Sequence, residues 1–336
     1  MKDSNLILDI KNLTVQFHIE DDVIEAVNDI SLQLEKGKTL GLVGETGAGK
    51  TTTAKAIMRL IPQPPGVIGK ESYISVCGHD ILKADKKTLA NVRGKEMAMI
   101  FQDPMTALNP VLTVGEQIAE SILLHEKVTP REAAQKAREM LEVVGIPGGR
   151  ANDYPHQFSG GMKQRVVIAL ALSCSPKLLI ADEPTTALDV TIQAQVLELM
   201  KQLRDKYDMG MLMITHDLGI VAEVCDDVAV MYAGRIVERG TLREVFNSTK
   251  HPYTEGLFNS LPDITNRKAE LKPIRGMMPD PANLPKGCAF APRCDYATEK
   301  CFECQPTLHK ISETHSVLCS AYDDPEFKLK GGEHNG

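Results

Sequence analysis

Residues 39–60 read TLGLVGETGAGKTTTAKAIMRL, and their reading decides the fold. The first five form a short apolar run, and the six after them contain three glycines. The stretch behind the glycines is helical in character and stops before Pro62. Strand, glycine loop and helix in that order open an α/β fold with a phosphate-binding loop. Gly44, Gly47 and Gly49 let the backbone curl until successive N–H groups point inward at phosphate oxygens. On this reading Gly44, Glu45, Thr46, Gly47, Ala48, Gly49, Lys50, Thr51 and Thr52 cradle a nucleotide. Lys50 reaches the β- and γ-phosphates, and the Thr51 hydroxyl binds Mg²⁺. The bland alternative is a glycine-rich turn without a ligand, and the flanking strand and helix argue against it.

Working outward, the residues before the loop alternate apolar and polar: Leu6, Leu8 and Ile10, then Leu13, Val15 and Phe17, then Ile30, Leu32 and Leu34. Period two predicts half-buried strands, closed by the turn EKGK. The middle is helical. Thr129 is placed to cap a helix opening at Pro130, with Glu132 completing a capping box and Gly145 ending it. Residues 104–176 are expected to form a helical insertion. Strand signals return as KLLIA, MLMIT and VAVMY, alternating with helical stretches, which predicts a parallel sheet with crossover helices. VAVMY and RIVERG predict a closing hairpin around Gly234. Past residue 241 the texture changes to prolines and cysteines, so the expected division is 1–240 and 241–336.

The 336 residues are 43% hydrophobic and 25% charged, with net charge −7 and no long basic run. That balance argues against nucleic acid as a partner. No apolar stretch is long enough to span a bilayer and no signal peptide opens the chain, so a membrane role is expected only through partners.

Two further stretches carry chemistry. LLIADEP sets Asp182 and Glu183 at the end of an apolar strand, where paired carboxylates are costly without a cation. Asp182 is the natural partner of Mg²⁺, and Glu183 is placed to polarise an attacking water. FSGGMKQR, residues 158–165, places Ser159 as the cap of a helix whose first N–H groups Gly160 and Gly161 leave open. A plain capped helix would explain it alone. Since Gly44–Thr52 already hold this chain's nucleotide, a second anion site makes sense if it covers the γ-phosphate held by another subunit.

These motifs and their order resemble the ATP-binding-cassette (ABC) ATPases over roughly residues 5–240. GETGAGKTT is similar to Walker A, FQD to the Q-loop, FSGGMKQR to the signature, LLIADE to Walker B, ALD to the D-loop and THD to the switch-histidine loop. The signature departs from the commoner LSGGQ at Phe158 and Met162. The resemblance implies an ABC-type P-loop NTPase core, a parallel sheet with an antiparallel β subdomain, plus a helical subdomain. It implies that Gln102 senses Mg²⁺ and the γ-phosphate, that Asp189 links two sites across a dimer, and that His216 bonds the γ-phosphate. An aromatic stacks on adenine in this family, which offers that role to Phe17; a core position suits Phe17 as well.

HPYTEGLFNSLP followed by GCAFAPRC resembles the C-terminal region of oligopeptide and dipeptide importer ATPases. This resemblance implies ATP-driven peptide import at the cytoplasmic face of the membrane. The implied partners are a second ATPase subunit, two transmembrane permease subunits and an extracytoplasmic peptide-binding protein. Importers of nickel or other small solutes are alternatives, as is a soluble non-transport ABC ATPase. In this subgroup Cys288, Cys294, Cys301 and Cys319 look able to hold a four-iron four-sulfur cluster, with Cys304 a possible substitute for the fourth ligand. Spacers of five and six residues between the first three are wider than in common zinc sites, though zinc and free thiols remain open. Cys77, Cys174 and Cys225 are expected to be small buried hydrophobes.

Overall fold

The computed structural model describes residues 5–186, 188–260 and 272–329. Ala187 of the ALD stretch, and residues 261 and 262 at the end of HPYTEGLFNSLP, lie outside them.

The chain opens with two long strands, β1 (Leu6–Ile19) and β2 (Asp22–Glu35), paired antiparallel. Their alternation buries Leu8, Ile10, Leu13 and Val15 against Ile30, Leu32 and Leu34, which follows from side chains pointing to opposite faces in turn. After β3 (Thr39–Val43) and α1 (Lys50–Ile57), three short strands complete this smaller sheet: β4 (Gly66–Ile68), β5 (Tyr73–Val76) and β6 (His79–Asp80). Then come α2 (Lys86–Lys95) and β7 (Met97–Ile100).

Residues 104–172 hold helices and no strand: α3 (Pro104–Ala107), α4 (Val114–His125), α5 (Pro130–Val143) and α6 (Gly160–Leu172). Thr129 and Glu132 make the expected reciprocal cap on α5, and Ala133, Ala137 and Leu141 form its buried stripe. Next come β8 (Leu178–Asp182), α7 (Val190–Tyr207), β9 (Gly210–Thr215), α8 (Leu218–Val224), β10 (Asp227–Tyr232) and β11 (Arg235–Thr241). The parallel strands β3, β7, β8, β9 and β10 are buried throughout or nearly so, as strands covered on both faces are. β10 and β11 form the expected hairpin.

The C-terminal region contributes α9 (Leu242–Asn247), α10 (Pro252–Asn259), α11 (Glu299–Glu303), β12 (Leu308–Lys310) and β13 (Ser316–Leu318). Among the described residues the larger sheet runs β12-β13-β11-β10-β3-β9-β8-β7, so the tail extends the sheet past the hairpin. Tyr253 and Phe290 are buried within the cluster that also holds Val43, Val230 and Tyr232. Too poor in apolar residues to make a core of its own, the tail shares this one. Of the three scattered cysteines only Cys225 is fully buried, while Cys77 and Cys174 are half-buried, which corrects the expectation for those two.

Candidate functional site

The parallel strands place their C-terminal ends together, the usual ligand-binding end of such a sheet. At the end of β3 the chain turns through Gly44, Gly47 and Gly49, with φ of +155°, +86° and +105°. Glycine is required twice over: a Cβ on Gly44 would lie 2.1 Å from the Met231 carbonyl oxygen, and one on Gly49 2.3 Å from that of Ala26. Thr46 and Gly47 are exposed, Ala48 is buried, and Thr51 and Thr52 at the start of α1 are half-buried. Lys50 folds back over the loop, donating to the carbonyls of Gly44 at 2.7 Å and Glu45 at 2.9 Å. Burial pushes its pKa down, opposed by the charges of Glu183, Asp182 and Glu45. An ammonium held in this way is ready to exchange two carbonyls for phosphate oxygens.

Thr51 joins the loop to β8, donating from Oγ1 to Asp182 Oδ1 at 3.2 Å. Asp182 is 2% exposed, and burial pushes its carboxyl up, partly offset by the Thr51 bond. A buried carboxylate beside a hydroxyl and next to a second carboxylate suits Mg²⁺, whose hard oxygen ligands these are. Glu183 follows in a left-handed turn, φ +47°. Its carboxylate receives three side chains: Gln102 Nε2 at 2.9 Å, Thr186 Oγ1 at 3.0 Å and His216 Nδ1 at 2.9 Å. Burial acts to raise its pKa, but the bonds from His216 and Thr186, with the charges of His216 and Lys50, hold it below the ordinary carboxylate range. It is therefore ionised at neutral pH. Gln102, Asp182, Glu183 and His216, separated in sequence, are brought to one place by the ends of β7, β8 and β9.

Ser159, Gly160 and Gly161 stand elsewhere. Ser159 caps α6 by accepting the Met162 N–H at 3.4 Å, and Asp189 caps α7 by accepting that of Ile192 at 3.0 Å. The two helix entrances abut, since a Cβ on Gly161 would lie 2.4 Å from Ile192 Cγ2. Ser159, Gly160, Asp189 and Val190 are all exposed, Val190 to 83%. Phe17 is half-buried on β1, paired with Ile24 and Gly66 and packed against the core of the smaller sheet.

The tail thiols gather without forming a closed site. The Cys288 N–H donates to the Cys301 carbonyl at 2.7 Å, and Cys294 lies within electrostatic reach of Cys319, Cys288 and Cys301. Burial pushes the thiols of Cys294 and Cys319 up to about 12 and about 11. Cys304 is exposed at the C-terminal end of α11. Among the described residues no three His, Cys, Asp or Glu side chains are arranged as ligands of a metal ion.

Sequence reasoning missed three residues. Thr186 steadies Glu183, and Tyr253 and Arg293 reach Glu45 of the phosphate loop from the tail. HPYT and APRC had marked the last two, but nothing local says that they meet the loop.

Comparison with known proteins agrees with this geometry. Residues 27–186 match the ABC transporter family, and residues 237–301 match the oligopeptide/dipeptide transporter C-terminal region. The chain is 53% identical to the oligopeptide transport ATP-binding protein OppD of Bacillus subtilis, covering 93% of this chain and 87% of that one. It is 47% identical to the dipeptide transport ATP-binding protein DppD of the same organism, covering 94% and 95%. Among solved structures it resembles a dimeric ATP-binding cassette in a post-hydrolysis state bound to ADP and Pi. That likeness has a TM-score of 0.63 at 25% identity, over 70% of this chain and 99% of that one. Fold, site and relatives agree: the chain belongs to the ATP-binding subunits of the ABC transporter family, in its oligopeptide/dipeptide branch.

Proposed function

We propose that this chain hydrolyses ATP to power the import of dipeptides or oligopeptides, and that it works as one of a pair of cassettes. The observation that carries the reading is Glu183, an ionised carboxylate held by three side chains beside the Thr51–Asp182 bond. The phosphate loop and Lys50 bind the triphosphate. Glu183 takes a proton from water as its oxygen bonds to the γ-phosphorus, the bond to the bridging oxygen breaks, and ADP leaves. His216, at the end of β9, turns from Glu183 toward the γ-phosphate oxygens. Mg²⁺, which Thr51, Asp182 and Gln102 would hold, supplies charge neutralisation on the β- and γ-oxygens.

The open surface made by Ser159, Gly160 and Asp189 supports the pairing. Two adjacent helix N-termini offer free N–H groups to an anion carried by another molecule. Closure of the pair would drive two permease subunits fed by a peptide-binding protein, with the cassettes on the cytoplasmic face of the membrane. No helix among the described residues is long and apolar enough to cross a membrane, in keeping with a peripheral seat. Residues 1–240 are the nucleotide-binding domain on this reading, and 241–336 an accessory region joined to its sheet.

The test is ATP-driven uptake of labelled di- and oligopeptides into vesicles holding the assembled transporter. Ser159→Arg should abolish uptake and hydrolysis while the isolated chain still binds ATP; loss of binding by the isolated chain would refute the pairing. A four-iron four-sulfur cluster on Cys288, Cys294, Cys301 and Cys319 completes the proposal, supported by the mutual nearness of those four thiols and by the exposure of Cys304. Anaerobically purified protein should contain iron and lose it in Cys319→Ser but not in Cys304→Ser. Iron-free protein with stoichiometric zinc would sink the cluster and leave the ATPase reading intact.

A further inference from the structure

The phosphate loop is held from behind by the C-terminal region, through Glu45. The Glu45 backbone N–H donates to the Tyr253 hydroxyl at 2.9 Å. Its carboxylate oxygens accept from Arg293 Nη1 at 3.1 and 3.0 Å. Arg293 also donates from Nη1 to the Tyr232 hydroxyl at 3.3 Å and from Nε to the Arg275 carbonyl at 2.8 Å. These are not surface contacts: the Arg293 side chain is 6% exposed and Tyr253 is fully buried. The rings of Tyr232, Tyr253 and Phe290 pack with centroids 4.6, 5.2 and 5.4 Å apart, and the guanidinium lies 5.8 Å from the centre of the Tyr232 ring. A guanidinium at this depth is costly unless its donors find fixed acceptors, and its planar fork suits a carboxylate and an aromatic face together.

The charge matters as much as the geometry. Glu45 lies close enough to Lys50 for its carboxylate to act on the ammonium that is to meet the phosphates. Left unpaired, that carboxylate would repel a triphosphate from the edge of its own cradle. Arg293 cancels the charge, and Tyr253 anchors the N–H where the chain leaves β3 and enters the loop.

We propose that Arg293, together with Tyr253, is a positioning residue for the phosphate loop, so that the C-terminal region sets how tightly nucleotide is held rather than how fast it is cleaved. The inference rests on the reading of residues 44–52 as the nucleotide site. Arg293 acts only through Glu45, 248 residues earlier in the chain.

The test uses the full-length chain for ATP titration and the assembled transporter for KM and kcat. Arg293→Ala should raise both Kd and KM about tenfold, the worth of a hydrogen bond to a charged group, with kcat little changed. Arg293→Lys keeps the charge without the fork and should recover part of the affinity. Glu45→Gln should also raise KM, and combining it with Arg293→Ala should add no further loss, because each removes the same contact. If Arg293→Ala does not fold, Glu45→Gln and Tyr253→Phe carry the same expectation of raised Kd and KM. Unchanged Kd and KM would overturn the proposal, as would a fall in kcat at constant KM or additive losses in the double variant. A parent chain that binds no ATP would instead refute the nucleotide site itself.

Discussion

Glu183 and Glu238 each accept three hydrogen bonds, and only Glu183 stands beside the phosphate loop. Glu183 receives Gln102, Thr186 and His216. Glu238, on β11, receives the backbone N–H groups of Lys250 and His251 at 2.7 and 2.9 Å, and His315 Nε2 at 2.8 Å. The donors differ in kind. Those on Glu183 are side chains, and His216 is 55% exposed, so water or phosphate can replace them. Those on Glu238 are main chain and a histidine 2% exposed, around a carboxylate with no exposed surface. On the proposed mechanism the first arrangement orients a base; the second fastens the C-terminal hairpin and the start of α10 to the cassette sheet. A carboxylate becomes catalytic where its partners can let go, and structural where they cannot.

The comparison breaks most readily at Glu183. Glu183→Gln should lower turnover by about two orders of magnitude or more, as loss of a general base does, with ATP binding retained. Single-turnover hydrolysis beside nucleotide titration measures both, and a parental rate would remove Glu183 from the mechanism. Glu238→Gln should do the opposite: stability should fall by about 2 kcal/mol, because a buried set of donors loses its charged acceptor, while the ATPase rate of the folded fraction is kept. Denaturant melts decide it, and an unchanged midpoint would mean that the seam is not held there.

A smaller effect sharpens the contrast. Thr186→Val removes one of the bonds that depress the Glu183 pKa below its reference value of 4.5. The base form is present above that pKa and lost as pH falls through it. With the pKa raised, the acid limb of the rate profile should move to higher pH while the rate at neutral pH changes modestly. A limb that stays in place would show that Thr186 does not tune the base.

The smallest effect lies at the hairpin's outer edge. Against the cost of burial, Ser312, Thr241 and Thr314 hold Glu244 down to about 2 from 4.5. Its contribution to stability is fully present above 4.5 and lost as pH falls toward 2. Glu244→Gln should lower Tm by about 2–4 °C at neutral pH and narrow the gap from parent as pH falls through that window. A gap independent of pH would contradict the depressed pKa.

Much of the cassette was legible because its signals are local. Gly44 and Gly49 are dictated by a turn whose backbone neighbours leave no room for a side chain, Thr129 and Glu132 cap α5 across one helical turn, and β1 and β2 declare themselves by alternation. Asp182 and Glu183 were found for the same reason, as paired acids closing an apolar strand. The tail was less legible. Its cysteines could be counted, but the exposure of Cys304 and the half-burial of Cys319 depend on how the segment folds back, and local spacing does not encode that.

By itself the sequence determined the elements, the glycine loop and the residue types of the proposed hydrolytic site, since each rests on steric or hydrogen-bond rules acting within a few residues. Only the tertiary structure decided which distant groups share a charge. Tyr253 and Arg293 reach Glu45 from 208 and 248 residues away, and β13 adds its pairing to β11. The physical reason is that a buried charge must find its partner through space. That partner is whatever the packed core brings to it, at any distance along the chain.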